Sequence, residues 1–254
     1  MYGLLIHAEF YNAQDLLTAP ILINIMRAPI DNDTEILKEW KKFGIDKAIP
    51  LIRQINKKDE SVELSGIMVE NALLPVLDYK LVYEFFEDGV RIKYDVKVRE
   101  HISYLPRLGF STAFGKKYKN CFYLGYDRES YIDKHVSALY GIWRFDVFND
   151  FNGYIKPQEC GSRYNSRYIK LTDEKERGIE ICALNPFSFS ALPYSVKELS
   201  ESPHDFELPE PSVVHLCFDH KMSGVGSASC GPQLLEKYRT NEKKMEGFFL
   251  IKLL

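Results

Sequence analysis

The chain has 254 residues, enough for one large domain with its own core, and its 45% hydrophobic and 27% charged residues match a folded protein without disordered tracts. A formal net charge of -3 offers no broad attraction to phosphate backbones or anionic lipid, so neither nucleic acid nor membrane is an expected partner. Five cysteines (Cys121, Cys160, Cys182, Cys217, Cys230) form an odd set without a C-x-x-C pair, which signals neither a disulfide framework nor a thiolate zinc site.

In chain order, the opening MYGLLIHAEFYNAQ has no basic n-region and too short an apolar run for a signal peptide, and nowhere are there eighteen consecutive apolar residues. A soluble, cytoplasmic domain is the expectation. The segment RAPIDND (27 to 33) places an arginine and a proline-stiffened corner before two aspartates that bracket an asparagine. Ile36, Leu37, Trp40 and Phe43 then fall on one helical face and stop at Gly44, a plausible C′ residue. SVELSGIMV (61 to 69) alternates as a strand does, and LDYKLVYEFFEDGVRIKYDVKVR (77 to 99) alternates on both sides of Asp88-Gly89, which predicts a β-hairpin. RGIEICAL (177 to 184), VVHLCFD (213 to 219) and the closing GFFLIKLL are further predicted strands, while Ser195-Val-Lys-Glu198 is a capping box that starts a second short helix. Many short strands, two short helices and no internal repeat or Pro/Gly/Ser linker predict one all-β domain, a large antiparallel sandwich.

Most of the chemical motifs fall to simple tests. Asp31-Asn32-Asp33 resembles the start of a calcium loop, but Ile36 and Lys42 stand where the loop's glycine and bidentate glutamate belong. His215 and His220 sit five apart on a predicted strand, so their side chains leave opposite faces and do not share a metal. The glycine-rich stretch from Gly224 to Pro232 has neither a G-K-[ST] nor a G-x-G-x-x-G spacing, so its glycines serve a tight loop. Cys230 in that loop has no histidine assignable to it and reads more simply as an inert small residue than as a nucleophile. Glu129, Glu159 and the pair Asp31/Asp33 supply carboxylates, but sequence spacing does not show two of them facing each other across a sugar. The 16 Tyr, 16 Phe and 2 Trp provide flat apolar faces of the kind that stack on sugars, although most must be core.

Six motifs in order carry a resemblance: RAPIDND, LPRLGF (105 to 110), YLGYDRESYID (123 to 133), YIKPQECGSR (154 to 163), FSFSALPYS (187 to 195) and MSGVGSASCGP (222 to 232). Together they resemble the C-terminal, small-chain domain of β-galactosidases of glycoside hydrolase family two, nearly end to end. The resemblance implies a supersandwich of the galactose mutarotase-like type spanning 1–254, slightly truncated at its N-terminus. The family's catalytic barrel, with its acid/base and nucleophilic glutamates and its Mg and Na sites, has no counterpart here. The implied role is therefore to complete the rim of a galactoside site and to pack on the barrel of a parent enzyme, itself a homo-oligomer, with no catalytic residue, metal or cofactor in this chain. A stand-alone carbohydrate-binding module and a mutarotase-like epimerase are the alternative readings.

At the rim, the resemblance places Cys230 and Ser229 where well-known members set a tryptophan against the aglycone sugar, and Thr34-Glu35 where they have an apolar residue and the glycine of a mobile loop. The third motif departs by Tyr126-Asp127 but keeps Glu129, Tyr131 and Asp133, expected to organise a loop and a domain interface. Arg27, Asp31, Asn32 and Asp33 are expected to be structural, Arg27 pairing with Asp31 or Asp33 and Asn32 supplying backbone-like hydrogen bonds. Arg107, Glu159 and Arg163 are expected to form buried arginine–carboxylate pairs that fix strand ends.

Overall fold

A computed structural model describes residues 16–70 and 74–254. The opening MYGLLIHAEFYNAQ falls outside the described residues. Strand β1 (Leu17–Asn24) leads through a 3-10 turn at Asp31–Asp33 into helix α1 (Thr34–Lys42). There follow β2 (Ile49–Lys58), β3 (Ser61–Val69), β4 (Leu77–Phe86), β5 (Gly89–Val98), β6 (Arg107–Gly115), β7 (Asn120–Tyr126), β8 (Tyr140–Asp146), β9 (Arg163–Thr172) and β10 (Gly178–Leu192). Helix α2 (Val196–Glu201), β11 (Val213–Met222) and β12 (Lys244–Leu253) complete the chain. All pairings are antiparallel, in the order β1-β6-β11-β10-β12-β5-β4-β3-β2, and β9 pairs with β10 and carries β7 and then β8 as a branch. The expectation of an all-β antiparallel architecture with short helices holds.

The predicted hairpin forms with Leu81 opposite Tyr94 and Tyr83 opposite Ile92. Its apolar positions Leu77, Tyr79, Leu81, Val90, Ile92 and Val96 are all buried, so the alternation seen in sequence is the core face of one sheet. Across β6, β10, β11 and β12 the core continues in Phe110, Phe187, Phe218 and Phe249, whose rings meet edge-on or stacked with centroids 4.9 to 5.9 Å apart. Helix α1 buries Trp40, whose indole N–H donates to the Tyr104 carbonyl at 3.2 Å. It ends as anticipated at Gly44, held at a φ of 67° that a side chain would oppose. The capping box is also present: the Ser195 hydroxyl accepts from the Glu198 N–H at 3.1 Å, and the Glu198 carboxylate accepts from the Ser195 N–H at 2.7 Å.

Six strands had no separate sequence signal. Strand β6 shows why, since it is buried on both faces and RLGFSTAFG therefore does not alternate. What matters for function is the placement of the loops. The ends of β1, β6 and β11 carry RAPIDND, Arg107 and the glycine-rich loop, and the long connections flanking β8 carry the third and fourth motifs.

Candidate functional site, a clamped loop over buried charge

Arg27 leaves the corner after β1 and meets Asp33 with two nitrogens, at 2.8 and 2.7 Å, both side chains being buried. The second Asp33 oxygen also accepts from the Ile30 N–H at 3.0 Å, so this carboxylate closes the turn that begins α1. Of the two partners expected for Arg27, the structure selects Asp33. Asp31 faces outward and pairs with Lys156 at 2.6 Å.

Asn32, between them, reaches the glycine-rich loop. Its amide nitrogen donates to the carbonyls of Val225 and Gly226, each at 2.9 Å, and its carbonyl oxygen accepts from the Ser229 N–H at 2.9 Å. Asp133 grips the same two residues from the other side, accepting from the N–H groups of Val225 at 3.1 Å and Gly226 at 2.7 Å. Consecutive peptides are thus held by their carbonyls through Asn32 and by their N–H groups through Asp133. Gly224 belongs to this fit, since a Cβ there would lie 2.5 Å from the Asp133 carboxyl carbon. The clamped loop turns over with Cys230 N–H donating to the Ser227 carbonyl at 3.2 Å and presents Cys230 to solvent.

Thr34 and Glu35 stand on the same rim through the 31–34 turn. The Thr34 hydroxyl donates to the Asp31 carbonyl at 2.8 Å, and Glu35 pairs with Lys38 one helical turn on. The structure therefore brings Asn32, Ser229 and Cys230 together directly, with Thr34 and Glu35 on the exposed side of the adjoining turn.

Beneath the rim lies a second network. The Arg107 Nη2 is 3.3 Å from Glu159 and 3.3 Å from Asp219, and 3.0 Å from the Met222 sulfur, and all three charged side chains are buried. The buried arginine–carboxylate pairing expected from sequence is present, with one guanidinium nitrogen shared by two carboxylates. Burial pushes the Asp219 carboxyl up to about 7 against the opposing pull of Arg107, with Glu159 adding to the rise. Burial raises Glu159 as well, while the two carboxylates hold the proton on Arg107 despite its burial.

Glu129 accepts from the Gly161 N–H at 2.7 Å and from the hydroxyls of Tyr131 and Tyr154, each at 3.2 Å. It ties the third motif to the fourth, in keeping with a loop-organising role. Arg163 corrects the sequence expectation: instead of a carboxylate it bonds the Tyr123 hydroxyl at 3.2 Å and the carbonyls of Gly161 and Ser162, with its guanidinium 5.2 Å from the Phe145 ring centre. A cavity of about 300 Å³ opens here, lined among others by Glu129, Arg163, Phe145, Phe151 and Asn152.

Asp33, Glu159 and Asp219 are committed to buried arginines, and Glu129 to three donors. Acid/base cleavage of a glycosidic bond needs two carboxyl groups free to face the substrate. Among the described residues no group of three or more His, Cys, Asp or Glu is placed to hold a metal ion. His215 lies 3.6 Å from Glu198, whereas His220 shares a 2.8 Å hydrogen bond with the Tyr94 hydroxyl, so the two histidines serve different neighbourhoods. Sequence reasoning missed Asp219. Its one signal was an aspartate closing the otherwise apolar run of VVHLCFD.

Comparison with known proteins adds the following. A family model described as beta galactosidase small chain matches residues 2–251. The chain is 35% identical over 240 residues to a beta-galactosidase of Actinobacillus pleuropneumoniae, a match that covers 91% of this chain and 23% of that protein. It is 32% identical over 235 residues to a beta-galactosidase of Staphylococcus xylosus, covering 90% of this chain and 24% of that one. Among solved structures, a galactose mutarotase-like protein from Lactobacillus casei superposes with a TM-score of 0.45 at 11% identity, over 93% of this chain and 85% of that chain.

Proposed function

The chain belongs to the beta galactosidase small-chain family, and on that premise we propose that it is the non-catalytic C-terminal part of a retaining β-galactosidase that hydrolyses terminal β-D-galactosides such as lactose. Its work is to complete the rim of the galactoside site and to pack on a catalytic barrel carried elsewhere in the parent enzyme. The supporting observation is one of proportion: nine-tenths of the chain aligns with less than a quarter of each of these relatives. In support of that division of labour, the buried carboxylates beneath the rim, Asp33, Glu159 and Asp219, are committed to arginines. The parent is a cytoplasmic homo-oligomer in this reading, and Mg and Na belong to its barrel.

At the rim Cys230 offers a small thiol where an aromatic ring would stack on the aglycone sugar. Such a contact is worth about 0.5–1.5 kcal/mol, so its absence bears on aglycone preference and leaves the galactose subsite to the barrel. The test uses a nitrophenyl β-galactoside. The purified 29.5 kDa chain is expected to release no nitrophenol, and a parent deleted for this stretch is expected to lose activity; turnover by the chain alone would overturn the reading.

A further inference from the structure

Five large apolar side chains on the connections and strand next to the clamped loop are strongly exposed. Val136 is 94% exposed, Phe206 80%, Ile155 77%, Leu139 65% and Ile142 60%. Hydrogen bonds and a ring stack link their segments into one arc. Phe206 stacks on His204, and Asp205 between them donates its N–H to the Ile155 carbonyl at 2.8 Å. Tyr154, next to Ile155, bonds Glu129 at 3.2 Å, and Asp127, two residues before Glu129, accepts from the Leu139 N–H at 3.0 Å. Leu139 leads directly into β8, where Tyr140 and Ile142 are exposed. The arc touches the rim at two points, through Lys156 on Asp31 and through Asp133 on Val225 and Gly226.

Large apolar groups exposed along linked segments mark a surface that a partner covers. From this arc the geometry points to the seat of the remainder of the parent polypeptide: an apolar collar of Val136, Leu139, Ile142, Ile155 and Phe206 on which the β-galactosidase outside the matched stretch docks. The inference rests on the reading that the chain is part of such an enzyme. The occupant follows from the three quarters of each relative that lie outside the match, and from continuity, because the rim can complete a site only if the surface beside it is covered by the polypeptide that carries that site. The exposed apolar residues of β2 (Ile49, Leu51 and Ile55) lie on the outermost strand of the other end of the sheet. They provide the control.

The experiment introduces Ile142→Lys, Ile155→Lys and Phe206→Lys singly, and Leu51→Lys and Ile55→Lys as controls, into both the parent enzyme and the 254-residue chain. In the chain alone, collar variants are expected to keep the wild-type circular dichroism and thermal midpoint, because these side chains already face water. In the parent, each collar variant is expected to lower galactosidase activity by about tenfold, while the β2 variants leave it unchanged. Hydrogen exchange should show residues 134–142 and 203–207 protected in the parent relative to the chain alone. Neutral collar variants together with damaging β2 variants would overturn the inference and leave the proposed function standing. A native protein that purifies from its source only at 29.5 kDa would overturn the proposed function itself, and the seat with it.

Discussion

The sheet around β4, β5 and β12 and the rim around Asn32 and Asp133 are built from different forces. In the sheet, every second side chain enters an apolar core and the backbone satisfies itself strand to strand. At the rim, connections that lack a ladder are held by side chains: Asn32 and Asp133 supply the missing backbone partners, and Arg27 and Arg107 organise buried carboxylates. Apolar packing tolerates any pH, whereas buried charge does not. The difference teaches that the sheet is held by apolar burial and the rim by buried charge and side-chain hydrogen bonds, so the rim's contribution to stability depends on pH.

The sharpest way to break this contrast is to damage each region at its centre. Phe249→Ala should cost about 3–5 kcal/mol through the cavity it leaves among Phe110, Phe187 and Phe218. Arg107→Met should cost a similar ~3–5 kcal/mol by stranding Glu159 and Asp219. Urea unfolding at several pH values separates them. The Phe249 deficit should stay constant, and the Arg107 deficit should shrink in acid as the stranded carboxyls take up protons. Parallel curves for both variants would mean that the rim is not the charged region described here.

Asp219→Asn sharpens the same point. Asp219 titrates near 7 in the folded chain but near 3.9 when unfolded. Between those values the folded state binds more protons, so this group's contribution is complete below about 4 and is lost as the pH rises through about 7. Glu159 is raised too and acts with the same sign. In the asparagine variant, the decline of unfolding free energy between pH 4 and 7 should be visibly flatter than in the wild type. An unaltered slope would reject the placement of the proton on Asp219.

The Asp133→Asn variant tests the clamp with a smaller effect. An amide nitrogen turned toward the N–H groups of Val225 and Gly226 loses one charge-assisted bond, worth about 1.5–3 kcal/mol. Hydrogen exchange at Val225 and Gly226 should accelerate by at least an order of magnitude while β4 and β5 keep wild-type protection.

The same contrast explains what could be read from the amino-acid sequence. The 77–99 hairpin was legible because one face is buried and the period is therefore two, and α1 because Trp40 and its neighbours repeat with helical spacing and stop at a glycine. Strand β6 was not, because a strand buried on both faces loses its alternation. The resemblance brought Asn32, Asp133 and Cys230 into view as motif members, but their joining depends on contacts spanning 92 to 197 residues of chain, and no local pattern encodes those. The choice of Asp33 over Asp31 was equally hidden, since both lie within reach of Arg27 along the chain and only the fold turns one inward. Arg163 bonds carbonyls because the fold sets it beside Gly161 and Ser162, a placement its residue type does not announce.

Asn32→Ala should have the smallest effect on global stability, about 1 kcal/mol, because the carbonyls of Val225 and Gly226 can find water at a partly exposed loop. Its local effect should nonetheless be large. The Asn32 carbonyl oxygen holds the Ser229 N–H, and Ser229 precedes Cys230, so the exchange removes all three bonds by which Asn32 holds the loop. Cys230 reports this directly: Cys121, Cys160 and Cys217 are buried, Cys182 is half-buried, and Cys230 alone among the five is exposed. Timed alkylation with a maleimide, followed by peptide mass, should show a changed rate at Cys230 in Asn32→Ala and unchanged rates at the buried thiols. An Asn32→Asp variant keeps the acceptor for Ser229 but loses both donors, and should fall between alanine and wild type. If all three proteins label Cys230 at one rate, Asn32 and the loop are neighbours without being coupled, and the loop would then owe its shape to Asp133 and Arg27.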